Sequence, residues 1–118
     1  MATVPVLTLP WPPSVNHIYG RGRNGQLYLL RDGKEYRKTV WILIRAARLT
    51  KRLGPVALTI DAYPPDKRLR DVDNLLKAVL DALQEGGAFE NDSQVKELHV
   101  FMRAPRAAAC IDVQIADI

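Results

Sequence analysis

Two spacings of apolar residues run along this chain and divide it into helices and strands. Val72, Leu75, Leu76, Val79, Leu80 and Leu83 stand at offsets 0, 3, 4, 7, 8 and 11, the stripe that a helix of 3.6 residues per turn presents to a core. They predict a helix over about 72–85, stopped by Gly86-Gly87. Tyr36, Val40, Leu43, Ile44 and Ala47, at offsets 0, 4, 7, 8 and 11, predict another over about 34–52, opening after an Asp32-Gly33 turn and stopping at Gly54-Pro55. Alternation of period two marks the strands. Val56, Leu58, Ile60 and Ala62 line one face of a strand over 56–63 that Pro64-Pro65 closes. Shorter strands are predicted over 4–9, closed by Pro10-Trp11-Pro12-Pro13, and over 27–30; segments 94–102 and 109–115 read as a hairpin turning at 103–108. The order β-β-α-β-α-β-β gives an α+β fold, a mixed sheet packed against two helices. At 118 residues the chain reads as one domain, 1–118, without repeats or linkers.

Composition narrows the setting. With 47% hydrophobic and 25% charged residues, the chain can bury a core, which excludes a disordered tail. Its longest strongly apolar run, Val40 to Ile44, is far too short to cross a bilayer, so no membrane partner is expected. The first residues lack a basic segment and carry Pro5, Pro10, Pro12 and Pro13, against a signal peptide. Cys110, the one cysteine, permits no internal disulfide, so a cytoplasmic location is expected. The net charge of +4 is unevenly placed. From Arg31 to Arg52 there are eight basic and two acidic residues, +6, against −2 for the remainder. Arg37, Trp41, Arg45, Arg48 and Arg52 share a second face of the predicted helix, arginines around an indole. Such a face suits a polyanion, or is simply solvated.

Several chemistries are absent. One Cys and two His (His17, His99) form no zinc cluster, and there is no H-E-x-x-H, Walker A or G-x-S-x-G sequence. His99 falls mid-strand, and the residues around His17 leave its role open. Gly20 to Gly25 matches G-x-G-x-x-G formally, but proline-rich coil precedes it and a strand follows. It reads as a hairpin loop, with no nucleotide cofactor implied and with Arg21 and Arg23 available to phosphate.

What remains is Lys67-Arg68-Leu69-Arg70-Asp71-Val72-Asp73-Asn74-Leu75-Leu76-Lys77 at the mouth of the best helix. Capping accounts for its acidic residues singly: Asp71 is a good N-cap, Asp73 favours the helix dipole, and Asp73 with Lys77 is an i,i+4 pair. It does not account for Arg68 and Arg70 at a helix N-terminus, nor for a polar face that keeps Asp73, Asn74, Lys77 and Asp81 together. Two hard oxygen ligands at a loop-to-helix junction suit Mg2+, which keeps water and phosphate in its other positions. On the pattern alone, a metal-dependent phosphodiester site and simple capping stand level. Asp92 is the candidate third carboxylate. The helix carries the chain ~18 Å from Asp73 to Glu85, and the seven residues from Gly86 to Asp92 can return ~23 Å if extended. A plain turn at Asn91-Asp92-Ser93 is the alternative.

These residues resemble the RusA-type Holliday junction resolvases, small endonucleases of phage and prophage origin. The resemblance rests on Leu9-Pro10-Trp11-Pro12-Pro13-Ser14 with Asn16, on Gly33 to Arg37, on Arg70-Asp71-x-Asp73-Asn74-Leu75-x-Lys77 with Asp81-Ala82-Leu83, and on Asn91-Asp92-x-Gln94-Val95. It implies that Asp71, Asp73 and Asp92 are metal-binding catalytic carboxylates and Lys77 an essential basic residue. It also implies a Mg2+-dependent homodimer that cuts four-way junction DNA symmetrically. Lys67, Arg68, Arg70, Arg37, Arg45, Arg48, Arg52, Asn16, Arg21 and Arg23 are the expected DNA contacts. Some relatives carry two adjacent aspartates where this chain has Asn91-Asp92, and Asn91 supplies no charge. The rival from another class is a non-catalytic DNA-binding module that uses the basic helix 34–52 and keeps the aspartates as caps.

Overall fold

The computed structural model describes residues 5–118. Its elements are β1 (Val6–Pro10), α1 (Val15–Ile18), β2 (Tyr19–Arg21), β3 (Leu27–Leu29), α2 (Arg31–Ala46), β4 (Val56–Tyr63), α3 (Val72–Gly86), a 3-10 turn (Asp92–Gln94), β5 (Val95–Met102) and β6 (Cys110–Asp117). Val4, at the start of the first predicted strand, lies outside the described residues. The α+β fold stands, with α1 and β2 as additions. After the prolines, Ser14 O accepts from His17 N (2.9 Å) and Ile18 N (3.1 Å), closing a single helical turn. The chain then folds back as the β2–β3 hairpin, whose loop has Gly25 at φ 78°. The glycine-rich stretch is therefore a hairpin loop, as its flanks require.

Four strands form one sheet in the order β1-β6-β4-β5. The alternation in β4 buries Val56, Leu58, Ile60 and Ala62. Across the antiparallel ladder Leu58 faces Ile115, Ile60 faces Val113 and Ala62 faces Ile111, so one face of the sheet is continuously apolar. Leu7 and Leu9 of β1 extend it. The opposite face is polar; Thr8 Oγ1 donates to Asp112 Oδ1 at 2.8 Å, its partner in register.

Helices α2 and α3 cover the apolar face. In α3 the buried residues are Leu75, Ala78, Val79, Ala82, Leu83 and Gly86, with Leu76 and Leu80 flanking and Val72 exposed. The stripe is thus rotated toward small residues that the apolar spacing alone does not weigh, and they let α2 come close: a Cβ on Gly86 would lie 2.6 Å from Ile44 Cδ1. Helix α2 differs from expectation at both ends. It begins at Arg31, so Asp32-Gly33 is in its first turn, where a Cβ on Gly33 would lie 2.8 Å from Ile18 O. It ends at Ala46, because Arg48 takes a left-handed φ of 55° well before Gly54-Pro55. Arg48 and Arg52 are therefore not on its face.

The predicted β5–β6 hairpin is overturned. Strand β5 pairs parallel with β4, Leu58 facing Leu98 and Ile60 facing Val100, while β6 lies on the other side of β4. Residues 103–109 cross the end of β4, where Arg103 N donates to Ala62 O (2.8 Å) and Arg106 N to Pro64 O (2.9 Å). A parallel pair needs a long crossover, and α3 is that crossover. This fixes the site: the start of α3 lies at one end of the sheet and its finish at the other.

Candidate active site

The loop from Pro64 to Asp71 is organised by Asp66. Its Oδ1 accepts from Arg68 N (2.9 Å) and pairs with Arg70 Nη2 (2.8 Å), and Arg70 Nη1 also donates to Asp66 O and Arg68 O (3.0 and 3.1 Å). The Arg68 amide, and after it the Arg70 guanidinium, hold the Asp66 carboxyl below the usual carboxylate range. The Arg70 guanidinium carbon stands 5.5 Å from the centre of the Trp11 ring. Arg70 is thus a rivet between the proline segment and the loop, and its charge is already answered. Lys67, Arg68 and Leu69 face outward from it.

At the loop's end Asp71 is the N-cap of α3, its Oδ1 accepting from Asp73 N at 3.0 Å. The capping geometry is therefore present, yet it occupies one carboxylate oxygen. Asp71, Asp73 and Asn74 are all exposed. One turn on, Lys77 Nζ stands 3.8 Å from Asp81 Oδ2 and 5.0 Å from the centre of the Tyr19 ring. Tyr19 donates its hydroxyl to Asp81 and accepts from Arg37 Nη2 (3.2 Å), and Arg37 also approaches Asp81 (3.7 Å) and Glu85 (3.9 Å). Burial, then the Asp81 carboxylate, raise the Tyr19 hydroxyl above its ordinary pKa. The network draws the Lys77 ammonium toward Asp81 rather than toward Asp73, its other i,i+4 neighbour, and leaves the Lys77 side chain about half exposed.

Asp92 stands elsewhere. Its backbone N donates to Gln84 Oε1 at 2.9 Å, and Gln84 is eleven residues, or about 16 Å, along the helix from Asp73. The loop 86–92 does not run back along α3 as the length estimate allowed. Gly87, at φ 88°, caps the helix, and an Asn91–Gln94 capping box starts β5 directly. The return journey is made by β5 itself. Among the described residues no three His, Cys, Asp or Glu side chains gather as a metal site within one chain. The donor set still suits a hard divalent cation in part: Asp71 and Asp73 are two adjacent exposed carboxylates, with one Asp71 oxygen beyond the cap.

The basic residues divide in the same way. Arg45 Nη1 donates to Gly86 O (2.7 Å) and its guanidinium lies 4.4 Å from the centre of the Trp41 ring. Arg52 pairs with Asp117 (2.9 Å) and Arg37 belongs to the Asp81 network. Arg21, Arg23, Arg48, Lys67 and Arg68 project into solvent, as does Asn16 on α1. Two arginines escaped the sequence reading. Arg103 and Arg106 ride the crossing loop to the same end of the sheet as the Asp71 loop, Arg103 paired with Asp61 (2.6 Å) and Arg106 over Tyr63 (3.5 Å). Their signal was present as two basic residues in a short loop, but the hairpin reading placed that loop away from the site.

Residues 10–116 match the family model described as endodeoxyribonuclease RusA. The chain belongs to the RusA family. It is 42% identical over 95 residues, 80% of this chain and 78% of the relative, to the proteins named crossover junction endodeoxyribonuclease RusA of Shigella sonnei (strain Ss046) and Escherichia coli (strain K12). It is 41% identical over the same shares to the one from Enterobacteria phage 82. RusA membership makes the chain an endodeoxyribonuclease and sets the binding-module reading aside. Among the described residues no helix is long and apolar enough to cross a membrane.

Proposed function

We propose that this chain, working as one endonuclease domain over 1–118, is a Mg2+-dependent nuclease that resolves four-way DNA junctions as a homodimer. In this reading each active site is shared: Asp71 and Asp73 come from one protomer and Asp92 from the other. The observation that carries the sharing is the parallel β4–α3–β5 crossover, which holds Asp92 against Gln84 at the far end of the helix from Asp73. A twofold axis across α3 and β5 exchanges the two ends, so that the Asp92 end of each protomer meets the Asp73 end of the other. Edge strand β5, with Leu98, Phe101 and Met102 exposed, is surface available to such a contact. Two sites related by a twofold axis match two symmetric cuts.

Bound at these carboxylates, Mg2+ supplies neutralising charge for the phosphodiester and a water of lowered pKa. The chain's own residues do the rest. Asp71 and Asp73 are held on the first turn of a rigid helix, with no loop between them to reorder. Lys77, steadied by Asp81 and Tyr19, presents an ammonium to negative charge developing on the phosphate or on the leaving oxygen. Lys67, Arg21, Arg23 and Arg48 offer exposed charge to the flanking backbone, as does Arg68, whose exposed side chain pairs loosely with Asp66 at 3.6 Å, whereas Arg70, Arg45, Arg37 and Arg52 serve mainly to hold the protein together.

Mixed dimers test the sharing. Asp73→Asn and Asp92→Asn are each expected to lose cleavage alone, while their mixture regains Mg2+-dependent nicking, since one of its two shared sites is intact. A mixture that stays inactive, although both variants bind junctions and exchange subunits, overturns the shared site. Absence of metal-dependent cleavage by the unaltered protein on any junction overturns the nuclease reading.

A further inference from the structure

Beside Asp71 the proline segment and the loop before α3 enclose a cavity of about 460 Å³. We infer that it is a nucleobase pocket, which takes one unstacked base from the nucleotide next to the phosphate that is cut. The inference rests on the nuclease reading above and adds to it a means of selecting the DNA.

Position comes first. Asp71 lines this cavity and is also a candidate metal ligand, so a base held there belongs to a nucleotide adjoining the reactive phosphate. Size agrees, because 460 Å³ lies within the ~300–1,000 Å³ of small-ligand sites. The walls have the chemistry of a base site. Trp11, Pro12 and Pro13 form an apolar side; Trp11 is partly buried against the core with Arg70 near its ring, and the part of the indole left exposed to the cavity offers an aromatic surface to a base. Across from them Asn74 is exposed, and its amide carries the adjacent donor and acceptor that pair with a base edge. Arg68 also lines the cavity; its side chain is 85% exposed and its contact with Asp66 is a loose 3.6 Å, so it can turn to the phosphate of the same nucleotide.

The pocket is also pre-formed. The Arg70 guanidinium lies over the Trp11 ring and is pinned by Asp66 and two carbonyls, so the platform needs no ordering when a base arrives. This gives the part-buried Arg70 rivet a role that phosphate binding does not explain. Unstacking costs least where a base has already lost neighbours. Branch points are such places, so a base pocket beside the carboxylates favours cleavage there over continuous duplex.

The protein carries two tryptophans, so Trp41→Phe leaves Trp11 as the reporting indole. With this variant, an intact junction is expected to quench Trp11 emission, and a junction made abasic at the nucleotide flanking the mapped cut is expected not to. Cleavage of that abasic junction is expected to fall about tenfold or more, the discrimination one stacked and paired base can supply. Trp11→Phe is expected to keep most of the cleavage and Trp11→Ala to lose it, with melting curves checking that both fold. Equal quenching and equal cleavage for intact and abasic junctions overturn the pocket while leaving the nuclease standing. If no junction is cut, the nuclease reading fails, and junctions made abasic at each branch-point nucleotide in turn decide the pocket by quenching: loss of quenching at one position supports it, and equal quenching at all of them overturns it.

Discussion

The two ends of α3 are built from similar residues and put to opposite uses. At the N-terminal end Asp71, Asp73, Asn74 and Lys77 are exposed or half exposed, and the one rivet, Arg70, holds the loop so that the carboxylates stay free. At the C-terminal end Arg45 answers the carbonyl of Gly86, Gly87 turns the chain, Gln84 receives the amide of Asp92, and Lys51 pairs with Glu90 at 3.0 Å. Polar groups at one end face outward into solvent. At the other most satisfy backbone, Lys51 answers Glu90, and the Asp92 carboxylate is carried to the surface. Charge in a sequence therefore says little until the partner of each charge is known.

The comparison is broken most sharply by removing charge at both ends. Asp73→Asn is expected to lower cleavage by roughly 10³-fold or more, as loss of a metal ligand does, and to leave junction binding equal or tighter because repulsion of phosphate falls. Asp92→Asn is expected to match it in rate assays despite the helix length between them. Single-turnover cleavage with affinity measured in parallel checks both, and wild-type rates for either variant remove that carboxylate from the site.

A smaller effect separates structural arginines from free ones. Arg45→Ala is expected to cost about 1 kcal/mol of stability, below the ~1.5–3 kcal/mol of a hydrogen bond to a charged group because the side chain is largely solvated. Its junction affinity should keep the wild-type salt dependence. Arg68→Ala should do the converse: an unchanged melting temperature, and a log-log salt slope flatter by up to ~0.9 for one lost phosphate contact. Denaturant melts and binding at several salt concentrations distinguish them.

The mildest perturbation is acid. The Asp66 carboxyl is held below its usual range chiefly by the Arg68 amide, so the folded loop favours the charged form. That contribution is complete above the ordinary carboxylate pKa and fades as pH falls through the lowered one. Between about pH 5 and 2, Trp11 emission should therefore report a loosening of the Arg70 rivet that Asp66→Asn shows already at neutral pH. An acid titration with no difference between Asp66→Asn and the parent would detach Asp66 from the rivet.

Much of this could be read from residue order. The α3 stripe, its Asp71 cap and its Gly87 stop are local, since a helix closes its bonds within four residues and its signals lie side by side. The alternation of β4, the hairpin nature of the glycine-rich loop and the D-x-D-N-x-x-K block on which the resemblance was read are local or compositional in the same way. The basic helix was legible as a helix, but its ends were not, because Gly33 enters it to let Ile18 approach and Arg48 leaves it through a left-handed turn. Pairing of β5 with β4 and separation of β5 from β6 were beyond reach, because a strand's alternation names its faces and not its neighbours.

That pairing decided the site. Residue order singled out the groups proposed for the chemistry, the three aspartates and Lys77, and determined the apolar periods that fold the chain around them. Tertiary structure decided which charges are free, how Trp11 and Arg70 come together, and that Asp92 stands a helix length from Asp73. The physical reason is the parallel ladder: a strand parallel to β4 must begin where β4 begins, so the residue just before β5 is carried to the opposite end of the sheet from the residues just before α3.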